Sequence, residues 1–253
     1  MPPEKGKQGL TTRGIHVYAL HKSASMFLVR FFRDVSERSG FSYFSRNNGN
    51  EKDLNEEIET NYCYGPTRSF ELDRRRFTHI DRQFHLFQVR DPRDVLVSQY
   101  FSFGWIHSDR AWSKAHIRER DYIQSVDIDR YVISRAQKTD KAKRLALKNR
   151  FAPILKHAKL DDINISFLKY EDMVTDFRVW IPAAIQAFTF PDEMEIIDEL
   201  YESYYQDFIP PKEDQQQHKR KITPGDHIDK LKPETIATLN SIFKDELALF
   251  GYL

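Results

Sequence analysis

The chain has 253 residues, 40% hydrophobic and 13% aromatic, enough to bury a sizeable core, which excludes a disordered chain. Its 39 Lys and Arg nearly balance 38 Asp and Glu, so no global field favours nucleic acid or an anionic membrane, and any anion site has to be built locally. The single cysteine, Cys63, excludes an intrachain disulfide and a cysteine-based zinc site, and is compatible with a reducing cytoplasm.

The opening MPPEKGKQGLTTRG has no apolar h-region, and no later stretch approaches about 18 uninterrupted apolar residues. The expectation is a soluble, cytoplasmic chain with no membrane segment; a domain trimmed of a membrane anchor would read the same. A first strand is expected over Ile15 to Leu20, followed by the polar turn HKSAS. A helix from about Ser25 to Arg38 places Leu28, Phe31, Phe32 and Val35 on one side, with Gly40 as its stop. Strands are expected at Phe41 to Ser45 and Phe84 to Val89, each bounded by polar residues. RDPRDVLVSQYFSF then opens a helix, with Asp91 as N-cap, Pro92 at the first helical position and Asp94 in the first turn. Beyond it come helices near Asp127 to Gln137 and Lys141 to His157, a strand over Ile163 to Leu168, and helices near Met194 to Phe208 and Pro233 to Phe250. No internal repeat or low-complexity linker divides the chain, so residues 1–253 read as one domain.

Strands alternating with helical segments predict an α/β fold with a central parallel sheet flanked by helices, and such sheets hold ligands at the carboxyl ends of their strands. His21 to Ser25 would then be the turn between a central strand and a helix. Free N–H groups at the helix start, with Lys22, Ser23 and Ser25, suit a phosphate. The stretch is not a Walker A loop, because it contains no glycine, and a polar helix end with a surface lysine would look the same. FHLFQVRDPRDVLVSQYFSF repeats the design, running a strand into an arginine and a capped helix, with Asp94 and Ser98 on one helical face.

Together these motifs resemble those of the PAPS-dependent sulfotransferases, which use 3′-phosphoadenosine 5′-phosphosulfate (PAPS) as sulfuryl donor. The family carries a Lys-Ser-Gly-Thr-Thr loop after its first strand and an Arg-x-Pro-x-Asp run followed by a serine. Arg90, Pro92, Asp94 and Ser98 match the second motif in register. Lys22, Ser23 and Ser25 match the first, while Ala24 stands for its glycine and Met26 for its second threonine. RKITPGDH is similar to the family's Arg-Lys-Gly-x-x-Gly-Asp-Trp segment, with Arg220, Lys221, Gly225 and Asp226 in place and Ile222 and His227 departing from it. LKYEDM resembles its Tyr-Glu-Asp segment.

The resemblance implies a P-loop-like sulfotransferase fold that binds PAPS as donor and its product PAP, with no metal. It places Lys22, Ser23, Ala24, Ser25 and Met26 around the 5′-phosphate, and Arg90, Ser98 and Arg220 at the 3′-phosphate. Lys221 stands beside Arg220, Phe27 at the place of an adenine-stacking aromatic, and Tyr170 at another adenine contact. Lys22 would stabilise the charge on the departing phosphate in an in-line transfer to a hydroxyl or amine. Many members carry a histidine about 22 residues before the 3′-motif arginine; here Arg68 lies near that place. Candidate bases are therefore His107, in FGWIHSDR, and Glu51, with Glu71 as a further carboxylate. His85 lies inside a strand and His16 begins one, and the run Arg74 to Arg76 would attract an acidic acceptor. The expected partner is a small-molecule or glycan acceptor, not nucleic acid; oligomeric state is not legible. Two other readings stay open at this point, a nucleotide kinase and a non-catalytic PAP(S)-binding module.

Overall fold

The computed structural model describes residues 13–45, 61–68, 83–106, 114–140, 144–158, 164–209 and 222–253. Five strands, β1 (Gly14–Ala19), β2 (Ser42–Phe44), β3 (Tyr62–Thr67), β4 (Phe84–Val89) and β5 (Asn164–Lys169), pair in parallel in the order β2-β3-β1-β4-β5. The α/β reading holds, with β1 central. The chain leaves β1 toward β2 and β3 on one side, then crosses to β4 on the other. The crevice at this reversal of direction lies outside the carboxyl ends of β1 and β4.

The helices are α1 (Ser25–Ser39), α2 (Pro92–Phe101), α3 (Lys114–Gln124), α4 (Ile128–Gln137), α5 (Leu147–His157), α6 (Tyr170–Thr175), α7 (Phe177–Ile185), α8 (Glu193–Tyr204), α9 (Asp226–Lys230), α10 (Pro233–Ile242) and α11 (Lys244–Phe250). A π-helical turn, Ser102–Ile106, extends α2. The four expected strands are present within a residue or two. Strand β3 was not expected; its Gly65 and Pro66 argue against a strand, yet pairing with β1 and β2 on both sides holds it, with a register irregularity opposite His16 and Tyr18. Helices α3, α6, α7 and α9 were also not expected, α7 being obscured by its internal Pro182. The single helix expected over Pro233 to Phe250 is broken at the fully buried Phe243, which ends α10 and opens α11.

Every residue of β1 is buried, as in a strand covered on both faces. Ile15, Val17 and Ala19 join Phe31, Phe32, Trp180, Ile181 and Leu200 in one core under α1, α7 and α8. Tyr18 and Leu20 join Phe87, Val89, Leu96, Phe151 and Leu247 in the other, under α2, α5 and α11. His16 and His85 are fully buried within the sheet. His16 Nε2 lies 3.0 Å from the Tyr62 hydroxyl, and His85 Nδ1 lies 3.2 Å from that of Tyr18. Burial, and after it the neighbouring His85, holds His16 well below the ordinary histidine range, so it stays neutral. Among the described residues no helix is long and apolar enough to cross a membrane.

One carboxylate ties the C-terminal segment to the sheet. Asp94, in the first turn of α2, accepts from the Gly225 N–H at 2.8 Å and the His227 N–H at 2.9 Å. His227 Nδ1 lies 2.7 Å from Asp94 Oδ1, and because a carboxylate only accepts, that nitrogen carries the proton. Burial alone would raise the Asp94 pKa. The hydrogen bonds from His227 and the charge of Arg90 outweigh it and hold the carboxyl below its ordinary 3.8.

Two substitutions test this frame. A Cβ at Gly65, where φ is +128°, would meet the Val17 carbonyl oxygen at 2.3 Å, and backbone cannot step aside. Gly65→Ala is expected to cost about 3 kcal/mol or more, read by urea denaturation. Asp94→Asn is expected to cost roughly 1.5–3 kcal/mol near neutral pH by removing charge-assisted bonds. Since the folded pKa is lowered, the contribution of Asp94 is complete above its unfolded pKa and is lost as pH falls through the folded value. The fall of stability with acid should therefore be shallower in Asp94→Asn than in wild type.

Candidate nucleotide and acceptor site

The turn after β1 is bent by two left-handed residues, Lys22 at φ 74° and Ala24 at φ 65°. The Ser23 N–H donates to the Leu20 carbonyl at 3.2 Å, and its buried hydroxyl donates to the same oxygen at 2.5 Å. Ser23 thereby closes the turn with both of its donors. No side chain caps α1, and its first turn holds no acid. The first helical bond runs from the Leu28 N–H to the Ala24 carbonyl at 3.1 Å, so the N–H groups of Ser25, Met26 and Phe27 lie outside the helical ladder. Amides left open at the start of a helix, with its partial positive charge, form an anion site.

The turn after β4 is built by capping. Asp91 accepts from the Arg93 N–H at 2.9 Å, Pro92 fills the first position of α2, and the Asp91 N–H donates to Glu171 Oε1 at 3.0 Å. Glu171 is steadied in turn by the Tyr252 hydroxyl at 2.6 Å. Burial raises the pKa of Glu171 against these two bonds. Arg90 sits in this buttressed corner, 6% exposed, with its guanidinium 4.2 Å from the centre of the Tyr170 ring. Its Nη1 donates to the Lys22 carbonyl at 3.0 Å, while its buried Nε has no partner. Lys22 Nζ donates to the Ser102 hydroxyl at 3.0 Å, across from α1.

Both turns open on one cavity of about 450 Å³. Lys22, Ala24, Ser25, Met26, Phe27, Arg90, Ser98 and Tyr170 line it, so these expected site residues, from three separate parts of the chain, are brought together. Ser23 is set behind the cavity wall. Ile222 closes one side, held by the Tyr170 hydroxyl, which donates to its carbonyl at 3.3 Å, and by the Asp94 bonds three residues further on. Burial raises the Tyr170 pKa against the charge of Arg90, so this phenol donates as a neutral group. Arg220, Lys221, His107, Glu51, Glu71 and the run Arg74 to Arg76 lie outside the described residues. Among the described residues no group of three or more His, Cys, Asp or Glu is placed to hold a metal ion.

The cavity also takes in residues that sequence reasoning passed over. Phe208 packs 4.9 Å from the Phe27 ring, beside Arg30 and Asp207, which pair at 2.7 Å. His21 lines the wall with its ring 5.1 Å from that of Phe103, and its buried Nδ1 has no partner. Burial, followed by the charges of Lys22, Arg68, Arg150 and Arg144, pushes its pKa down to about 2, so the imidazole is neutral. Position next to Lys22 was the available signal for His21; nothing local marks Phe208.

The model of the sulfotransferase domain matches residues 86–251, more than half of the chain. Among solved structures, mouse sulfotransferase SULT7A1 complexed with PAP superposes with a TM-score of 0.62 at 15% identity, over 93% of this chain and 84% of that one. Retinol dehydratase, in complex with androsterone and inactive cofactor PAP, gives 0.53 at 15% identity, over 92% and 80%. The same enzyme with retinol and PAP gives 0.53 at 15% identity, over 92% and 81%. These likenesses are of fold, and no curated protein matches the sequence. With its second phosphate-type turn, its Tyr-Glu-Asp segment and its C-terminal clasp all inside the matched stretch, the chain belongs to the sulfotransferase domain family.

Proposed function

We propose that the chain, acting as one domain over its 253 residues, transfers a sulfuryl group from PAPS to a hydroxyl or amine of a small-molecule or glycan acceptor. The observation that carries this reading is the convergence of an open helix start, a lysine, a buried arginine with an unpartnered Nε, and a serine around one cavity. The residues fit such a donor. Lys22, Ser25 and the free amides of α1 would hold its 5′ side, and Arg90 and Ser98 its 3′-phosphate, with Arg220 and Lys221 joining them. Phe27 and Tyr170 offer flat faces to a base. The bound donor supplies an activated sulfuryl group on a phosphate leaving group.

Lys22 neutralises charge that grows on that leaving group, at the positive end of α1. Its bond to Ser102 holds the ammonium at the cavity wall, ready for this role. The acceptor proton goes to His107 or Glu51. His107 is favoured by its place in the chain, one residue beyond the cavity-lining Ile106. Ala24 adopts a left-handed backbone, the conformation a glycine takes most readily, so this loop is bent without a glycine.

Calorimetry with two ligands tests the donor site. Each charge-assisted bond contributes roughly 1.5–3 kcal/mol, so Arg90→Ala should weaken PAP binding about 10- to 150-fold. Adenosine 5′-phosphate, lacking the 3′ group, should change little. Equal losses would assign Arg90 to holding the loop through the Lys22 carbonyl. A screen with radiolabelled PAPS across phenols, sugars, lipids and amines identifies an acceptor, and with it Lys22→Ala should lose about 10²- to 10³-fold in turnover. Its PAP affinity should fall far less. Near-normal turnover at saturating donor would remove Lys22 from the chemistry.

A further inference from the structure

Resting on the sulfotransferase reading, charge accounting at the cavity leaves one cation unassigned. Among the charged groups lining the wall, Arg30 is matched by Asp207, while Lys22 and Arg90 face the places given to the donor phosphates. Arg68 remains, just past the end of β3 on the cavity lining, and among the described residues it makes no hydrogen bond or ion pair. It stands on the side of His21, where Arg144 and Arg150 also act on the same imidazole. Arg144 pairs with Asp140 through its Nε, and Arg150 has no carboxylate within ion-pair distance among the described residues. Desolvation lowers the pKa of both guanidinium groups, although Arg68 as a whole residue is exposed, and Asp140 partly offsets the effect at Arg150. Phe101 and Ile106 supply an apolar lining nearby. A guanidinium cannot serve as a base at neutral pH, so attraction is the role left to Arg68.

We infer that Arg68 forms an acceptor subsite for an anionic group, so that the acceptor presents an apolar body with a carboxylate, sulfate or phosphate close to the group that is sulfated. The neutral His21 ring and the lining of Phe101 and Ile106 receive the body, and the guanidinium takes the anion in a two-pronged bond. An acceptor without the anion would leave the positive charge of this wall uncompensated.

The test is calorimetry with a matched pair of phenols, 4-hydroxyphenylacetate and 4-hydroxyphenethyl alcohol, titrated with and without saturating PAP. The wild type should bind the carboxylate at least about tenfold more tightly than the alcohol. Arg68→Gln should bring the two within about threefold of each other, and Arg68→Lys should fall between, because a lysine keeps the charge and loses the fork. PAP affinity should be the same in all three proteins, which also reports that the variants are folded. Equal binding of the pair by wild type, or a preference that survives Arg68→Gln, overturns the subsite. So does an Arg68→Gln variant that loses PAP as strongly as the carboxylate, since Arg68 would then belong to the donor. Failure of wild type to bind PAP sinks the sulfotransferase reading instead, and the titrations without PAP still decide for or against the anion subsite.

Discussion

The hydrogen bond from Arg90 to the Lys22 carbonyl, 3.0 Å long, is the constraint on which the site depends. It joins the ends of β1 and β4, neighbours in the sheet whose following turns carry the two phosphate-type motifs. One guanidinium therefore locks the loop after β1, lies over the Tyr170 ring, and keeps a buried Nε that has no hydrogen-bond partner among the described residues. An unpaired buried donor on a charged group is costly in an empty site. The same cost becomes a gain in affinity when an anion meets it, which is the energetic logic of a site prepared for its ligand.

Around that bond the chain arranges its acids and bases at different depths. Asp94 and Glu171 are turned away from the cavity, onto Gly225 and His227 and onto Asp91 and Tyr252. They hold loops in place, and their hydrogen bonds go to groups that do not line the cavity. Asp207 is the carboxylate on the lining, and it is matched by Arg30. The result is a pocket with strongly positive walls in a chain whose formal net charge is only +1.

The parts of this arrangement that were legible in the sequence are those set by neighbouring residues. Asp91, Pro92 and the apolar run behind them specify the start of α2 by local capping chemistry, and β4 was read with its bounds as observed. The parts that were not legible depend on contacts far along the chain. Strand β3 contains Gly65 and Pro66 and exists because two partners pair with it. The Asp94 to His227 clasp spans 133 residues, so a charge that reads as a favourable helix-start residue is in fact the anchor of the C-terminal segment. Arg68 reads as one more charge in a polar stretch, and only the pairing of β3 beside β1 carries it to the cavity.

Ala24 shows how such distant contacts replace a local rule. A left-handed alanine costs roughly 1–2 kcal/mol, and a glycine would avoid it. The loop keeps its shape because it is held at every point: Ser23 by two bonds to Leu20, Lys22 through its carbonyl by Arg90, and Ala24 through its carbonyl by Leu28. Strain of this kind persists where the surroundings over-determine the backbone, and it is found at functional sites. What the alanine changes is the surface offered to a ligand, since its methyl group and the 60%-exposed Met26 side chain add apolar lining where a glycine and a hydroxyl would stand. With Ser23 spent on closing the turn, the donors left facing the cavity there are the open amides of α1, Ser25 and Lys22. In the proposed donor site the 5′ side is thus made of backbone and one charge more than of hydroxyl groups.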